Sequence, residues 1–249
     1  MIIFAEGYLG LNFLKFIKKH HPKVIKKLIL VENIKTNKLN IFAKKNFKGK
    51  ILYWKNVSKN KLISNIKKTN SELIFLVWWP FILNKKFLKL KKFIINTHPS
   101  FLPYFKGKDP NFWSIMNGGP YGVSINHVQE KIDSGPIAFQ KRISNVDWTW
   151  DAKKLYKESL KQMLKLIKEN FNKIVKCELP KINQDTNHKK INYRKEMIKK
   201  SKIKLNSKII IKDFLNLLRA KTFYPHEGII FLDKKKKYSI NIKIKKVSF

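Results

Sequence analysis

An amide and an imidazole two residues apart, Asn96 and His98, stand in Ile94-Ile95-Asn96-Thr97-His98-Pro99-Ser100, where an apolar run enters a proline-bent loop. On an extended chain, residues two apart point the same way. Such a pair could polarise a carbonyl and move a proton. It could equally tie down a loop, since polar loop residues commonly hydrogen-bond to backbone. Asp133 lies in Lys131-Ile132-Asp133-Ser134-Gly135-Pro136, between two strand-like runs. A carboxylate approaching His98 would hold its tautomer and stabilise the imidazolium. Taken alone, it is a turn residue ahead of Ser-Gly. Trp78-Trp79 closes another apolar run, and core packing accounts for that pair as well as ligand binding does. No His, Cys, Asp or Glu spacing suits a metal, so none is expected.

Chemistry of this kind needs a frame. Apolar runs at Ile2–Ala5, Val24–Val31, Ile51–Trp54, Leu73–Trp79 and Phe93–Ile95 alternate with Lys-rich stretches of helical spacing, such as Leu11, Leu14, Phe16 and Ile17. That rhythm predicts an α/β fold with a mostly parallel sheet, whose ligands bind beyond the carboxyl ends of the strands. Between Pro80 and Pro136 lie six of the nine prolines and five of the nine glycines, so functional loops are expected there. Asn111–Met116 reads as a short helix, and Gly122–Val128 and Ile137–Ile143 as strands. Leu155, Leu160, Met163, Leu164 and Ile167 predict one long amphipathic helix over Asp151–Val175, capped by Asp147 or Thr149. Leu179–Lys208 is polar and aperiodic and predicts a crossing loop. A helix of a turn or two over Asp213–Arg219 follows. Gly228–Leu232 and Tyr238–Ile244 then flank Asp233–Lys237 as a β-hairpin.

The 249 residues, 43% of them hydrophobic, suffice for one sizeable core and a small appendage. No apolar run approaches the roughly 20 residues of a membrane helix. Met1–Ala5 has no basic region ahead of it and reads as a buried strand, not a signal peptide. Cys177 is the single cysteine, which excludes an intramolecular disulfide. A soluble cytoplasmic protein is expected. The net charge of +39 would attract any polyanion. Lys, Asn and Ile are abundant throughout and Arg is rare, the pattern of an A- and T-rich genome. A dedicated nucleic-acid binder would concentrate its charge and favour Arg. Nucleic-acid binding, if present, is expected to be non-specific.

Three segments together resemble the folate-dependent formyltransferase family. They are Asn96-Thr97-His98-Pro99-Ser100-Phe101-Leu102-Pro103, then Gly122-Val123-Ser124, then Ile132-Asp133-Ser134-Gly135-Pro136-Ile137. The resemblance implies that Asn96, His98 and Asp133 are catalytic. Phe105-Lys106-Gly107-Lys108-Asp109-Pro110-Asn111-Phe112-Trp113 and the tail Asp213–Phe223 are similar to sugar-nucleotide N-formyltransferases of the dTDP-amino-sugar type, and the likeness covers nearly the whole chain. There are three departures. Asp109 stands where His is usual, Asn126-His127 where His-Phe is common, and Lys131 where Gly is common.

The implied fold is Rossmann-like: a formyltransferase catalytic domain over residues 1–178 and an extension of loop, short helix and hairpin over 179–249. The implied reaction moves a formyl group from N10-formyltetrahydrofolate to the amine of a nucleotide-linked amino sugar, as in lipopolysaccharide and O-antigen synthesis. Asn96 would donate to the oxyanion, an effect typically worth about 3–4 kcal/mol. His98 would donate to the same oxygen or accept the amine proton, and Asp133 would orient His98. Trp79, Phe81, Ile82, Leu83 and Ile132 are the implied cofactor contacts, largely through backbone. Ser100, Lys106, Asp109 and Asn111 are implied substrate contacts, with Arg219 on a diphosphate and Phe223 or Tyr224 stacked on the base. The resemblance also implies a cis Leu102–Pro103 peptide. Ile229, Phe231, Ile240 and Ile242 alternate in the hairpin and could support a homodimer or cover their own domain. Methionyl-tRNA formyltransferase is the alternative that would use the basic charge, but it normally carries a full C-terminal barrel. Glycinamide ribonucleotide formyltransferase does not fit the tail. A non-catalytic basic nucleic-acid binder on the same scaffold would not need the intact trio.

Overall fold

The computed structural model describes residues 1–248. In chain order the elements are β1 (Ile2–Ala5), α1 (Gly7–His20), β2 (Lys27–Leu30), α2 (Lys38–Asn46), β3 (Ile51–Tyr53), α3 (Lys59–Lys68), β4 (Leu73–Val77), α4 (Lys85–Leu88) and β5 (Phe93–His98). Then come β6 (Lys106–Gly107), α5 (Pro110–Met116), β7 (Gly122–His127), β8 (Ile137–Arg142), α6 (Ala152–Glu169) and α7 (Phe171–Val175). The chain closes with β9 (Ile191–Asn192), α8 (Arg194–Lys200), α9 (Ile211–Lys221), β10 (Ile229–Asp233) and β11 (Lys236–Ile240).

A seven-stranded sheet runs in the order β3-β2-β1-β4-β5-β7-β8. The pairings among β1 to β5 are parallel and β7 runs antiparallel to β5, the Rossmann-like arrangement expected. Every residue of β1 and β4 is buried, as strands covered on both faces require. The chain divides into two compact units. One comprises Met1–His98, Ser124–Phe139 and Met163–Gln184; the other comprises Pro99–Val123, Gln140–Gln162 and the chain from Asp185 onward.

In the first unit, Phe4 on β1 anchors an aromatic cluster with Trp54, Trp79 and Phe87, its rings meeting edge to face. On the other side of the sheet Phe13 of α1 packs edge-on against Phe75 and Phe171. Helix starts follow side-chain chemistry. Asn37 accepts from the Leu39 and Asn40 amides to cap α2, and Ser58 accepts from the Lys61 amide to cap α3.

Several boundaries differ from expectation. β2 omits Val24 and Ile25, and β4 stops at Val77 because Trp78 turns left-handed, with φ 56°. β5 runs on through Asn96, Thr97 and His98, which therefore lie on a strand rather than in the loop beyond it. The long helix is two, α6 and α7. Asn170 between them has φ −109° and returns its Nδ2 to the Leu166 carbonyl at 2.9 Å, a side-chain bond that competes with the helix. Asp151 caps α6 by accepting from the Lys154 amide at 2.7 Å, while Asp147 accepts instead from Thr149 within the preceding turn.

The aperiodic stretch holds β9 and α8, each too short for a period to show. β9 is drawn straight by parallel pairing with β6, and Glu196 closes the start of α8 on the Tyr193 amide at 3.2 Å. α9 runs longer than the turn or two expected, and the hairpin turn is shorter. Lys234 and Lys235 alone make it, both at positive φ (43° and 68°), as a two-residue mirror-image turn requires. The Leu102–Pro103 peptide is cis.

Candidate functional site

The last three residues of β5 divide their work by alternation. Asn96 and His98 share one face; Thr97 faces the other way. Its hydroxyl accepts from the Trp78 amide at 2.8 Å and donates to the Leu76 carbonyl at 3.3 Å, fastening β5 to the end of β4 just where the chain turns left-handed. Across the antiparallel register, Asn96 stands opposite Asn126 and His98 opposite Ser124. Directly opposed residues share a face. β7 therefore adds Ser124 and Asn126, both buried, to the face that carries Asn96 and His98.

Asp133 reaches the same place from the loop between β7 and β8. One carboxylate oxygen lies 3.4 Å from His98 Nδ1, and the other accepts from Asn96 Nδ2 at 3.4 Å. Both spacings sit at the outer edge of hydrogen-bond range. The His98 side chain is 5% exposed and that of Asp133 13%, so water screens the pair little. A carboxylate facing Nδ1 favours the tautomer with its hydrogen there, which puts the lone pair on Nε2.

The loop is tightly fixed. Asp133 adopts φ 49°, a left-handed conformation uncommon for side chains with a Cβ. Ser134 Oγ donates to the Ile132 carbonyl at 3.0 Å. Gln184 Nε2 donates to the Asp133 carbonyl at 2.9 Å and the Gly135 carbonyl at 2.6 Å. Gly135 has no room for a side chain, since a Cβ would press on the His127 carbonyl. His127 points to the opposite face and donates from Nε2 to the Pro180 carbonyl at 2.8 Å, a structural use. Asn126 Nδ2 donates to the His127 carbonyl at 3.1 Å, which turns its Oδ1 the other way, buried and without a donor among the described residues.

The segment expected to meet a cofactor follows β4. Trp79 and Leu83 are buried in the aromatic cluster, and Phe81 and Ile82 are exposed, with Phe81 stacked on Trp54 at 5.8 Å. Among the described residues the Trp79 indole N–H, although buried, has no acceptor, and Phe81, Ile82 and Leu83 make no backbone hydrogen bond. A flat heterocycle with amide-like edges suits such a ribbon, since buried polar groups need partners. The residues present fit a pterin.

The expected substrate residues lie in the second unit. Ser100 is fully buried and donates to the Tyr104 carbonyl at 2.7 Å. Lys106 is buried on β6, and Asn111 Oδ1 accepts from Ser159 Oγ at 3.3 Å. Asp109 is held in a two-pronged pair by Arg194, at 2.8 and 3.1 Å, which raises the guanidinium pKa still further. Arg219 is buried, donating to Asn216 Oδ1 at 3.0 Å and to the Asp147 carbonyl at 2.8 Å, with Trp148 against its plane at 4.7 Å. Burial pushes the Tyr121 hydroxyl up, and the positive charge of Arg219 offsets part of that. Phe223 packs edge-on against Tyr156, and Tyr224 is 71% exposed. Among the described residues no group of His, Cys, Asp and Glu gathers as a metal site, and no helix is long and apolar enough to cross a membrane.

Thr97, Ser124 and Asn126 stand in segments that the sequence singles out, but without a role of their own, and Gln184 stands in none. Alternation along β7 could have found Ser124 and Asn126. Gln184, in an aperiodic stretch 51 residues from Asp133, carries no local signal.

Residues 23–170 match the formyl transferase family, more than half of the chain, and the chain belongs to that family. Residues 196–246 match the N-formyltransferase dimerization C-terminal domain. Similar curated proteins are bifunctional polymyxin resistance protein ArnA of Wigglesworthia glossinidia brevipalpis (28% identical, 74% of this chain and 29% of that protein) and a methionyl-tRNA formyltransferase of Prochlorococcus marinus (31%, 74% and 56%). A third is dTDP-4-amino-4,6-dideoxyglucose formyltransferase of Mycobacterium tuberculosis (28%, 56% and 58%). The chain thus spans from under a third to under three-fifths of the lengths of these relatives. Its fold is shared by the solved sugar N-formyltransferase of a Shewanella species (TM-score 0.84, 19% identity, 99% of this chain and 98% of that one). It is also shared by the Helicobacter canadensis N-formyltransferase, solved with folinic acid and dTDP-3-aminofucose (0.74, 21%, 95% and 84%).

Proposed function

We propose that the chain is an N-formyltransferase that moves a formyl group from N10-formyltetrahydrofolate to the amine of a nucleotide-linked amino sugar, in the cytoplasm, for surface polysaccharide such as O-antigen. The observation that carries the reading is the meeting of Asn96, His98 and Asp133 at the carboxyl end of β5, within 3.4 Å of one another through the carboxylate. The donor supplies the formyl carbon and a leaving nitrogen. Asn96 is the group to donate to the formyl oxygen as charge develops there, and a single such donor is typically worth about 3–4 kcal/mol. His98, its tautomer held by Asp133, takes the proton that the attacking amine loses and can return one to the departing nitrogen. Trp79, Phe81, Ile82, Leu83 and Ile132 are the proposed donor contacts.

An amino-sugar acceptor is favoured by the match of residues 196–246 to the N-formyltransferase dimerization domain, and the same match supports a homodimer. Ser100, Lys106, Asn111, Phe223 and Tyr224 are the proposed substrate contacts, with the exposed Tyr224 ring suited to a base. Asp109 and Arg219, each held by protein partners, are proposed as further contacts, Arg219 toward the diphosphate. The catalytic domain is proposed over 1–178 and the extension over 179–249. The similarity to methionyl-tRNA formyltransferases favours a second acceptor, charged initiator tRNA. The test offers N10-formyltetrahydrofolate with dTDP-4-amino-4,6-dideoxyglucose and other amino-sugar nucleotides, and separately with charged initiator tRNA, at physiological salt. Formylated sugar nucleotide, read by mass, is expected. Efficient formylation of the tRNA with every sugar inert overturns the reading.

A further inference from the structure

The segment after α7 reaches the Asp133 loop at alternate residues. The Pro180 carbonyl accepts from His127 Nε2 at 2.8 Å, at the start of the loop. Ile182 exchanges both backbone hydrogen bonds with Ile137, at 2.8 and 3.0 Å, at its end. Gln184 takes the middle. A carbonyl oxygen can only accept, so the atom facing the Asp133 and Gly135 carbonyls is the amide nitrogen. That nitrogen bonds both, at 2.9 and 2.6 Å. One planar amide thereby bridges residues on either side of Ser134, and two bonds from one rigid group fix the rotation of the segment as well as its position. The residue so clamped, Asp133, is the one whose left-handed backbone needs outside support. The carboxylate it carries meets His98 and Asn96 at 3.4 Å, where a small swing of the backbone would separate them.

We propose that Gln184 is a positioning residue for the reaction: its amide holds the Asp133 carboxylate in register with His98. This rests on the reading of Asp133 as catalytic. Gln184 touches neither reactant on this view. It acts through Asp133 alone, so its effect disappears once Asp133 has no carboxylate to aim. Gln184→Met keeps the side-chain length and removes both donors.

The experiment is a double-mutant cycle of Gln184→Met with Asp133→Asn, using the full chain, N10-formyltetrahydrofolate and whichever acceptor is turned over. Gln184→Met is expected to lower kcat about 10- to 100-fold, the scale of a misplacement near 1 Å, with both KM values within about twofold. The double variant is expected to be no slower than Asp133→Asn alone. Wild-type kcat in Gln184→Met overturns the proposal, and so does a loss that multiplies with that of Asp133→Asn. Full activity in Asp133→Asn alone sinks the premise, and is visible without any Gln184 variant. If Gln184→Met fails to fold, Gln184→Asn, whose amide falls one methylene short, takes its place in the cycle with a smaller expected loss. Independently of any acceptor, amide hydrogen exchange across residues 131–135 should quicken in the Gln184 variant while β1 and β4 stay protected. Unchanged exchange in the loop overturns the proposal.

Discussion

Gly135→Ala tests whether the Asp133 loop is held as closely as its packing indicates. A Cβ on Gly135 would lie 2.8 Å from the His127 carbonyl carbon, and closer still to its oxygen. Carbon–carbon contacts are comfortable at about 3.5–4.0 Å. The loop must therefore back away by about 1 Å, because the atoms it meets belong to the backbone of β7 and cannot rotate aside. Asp133, two residues earlier and coupled to Gly135 through the Gln184 amide, moves with it. Its carboxylate starts 3.4 Å from His98 and has no slack to lose. A misplacement of that size at a catalytic group costs about 100-fold in rate. Overpacking of this kind costs about 1–3 kcal/mol, which lowers the melting temperature of a chain this long by about 2–12 °C. The assay is steady-state formyl transfer with both KM values, alongside a melt by circular dichroism. A kcat within about threefold of wild type, with melting unchanged, would show that the loop yields freely and that the argument from packing is wrong.

His98→Ala and Asp133→Ala should each lose about 100- to 10,000-fold in kcat with a native circular dichroism spectrum, and activity within about tenfold of wild type in either would refute its assigned role. Burial raises the Glu6 carboxyl above its ordinary range, so its protonated form is the one the fold prefers, and the residue subtracts from stability as pH rises past the unfolded value. Glu6→Gln should accordingly melt above wild type at pH 7, with the gap closing toward pH 4; equal melting at pH 7 argues against it. Light scattering at micromolar concentration should give twice the 29.6 kDa of one chain, and a monomer would count against a role for the hairpin in pairing.

The sheet was legible because burial writes itself into sequence. Ile2–Ala5 and Leu73–Val77 are apolar at every position, as strands covered on both faces must be. Asn96 and His98 were legible as candidates because strand alternation and the family motif both single them out; Asp133, which alone reads as a turn residue, was legible through the motif. That Asp133 reaches both partners is a tertiary fact, set by a loop whose geometry depends on Gln184 and Gly135. Boundaries failed where a single residue decides them. Trp78 ends β4 by turning left-handed, and Asn170 breaks the long helix with its own amide. β9 is two residues long and extended only because β6 pairs with it, so no local pattern could announce it. Arg219 reads from sequence as a cation for a diphosphate. In the structure it bonds Asn216 and the Asp147 carbonyl, partners invisible until the chain folds.

Thr97 carries a consequence for anyone who would transplant this site. Three consecutive residues serve two ends: Asn96 and His98 present functional groups on one face, and between them a hydroxyl anchors the neighbouring strand on the other. A valine there would keep the shape and sever both bonds; a serine would keep the bonds and give up the methyl. Copying only the outer pair onto a foreign sheet would import the reagents without their foundation. The portable unit is Asn-Thr-His together with an adjacent strand whose penultimate carbonyl accepts from the threonine and whose first residue past the end returns its amide to it. Few sheets offer that edge ready-made, so the host would have to be rebuilt around the threonine first.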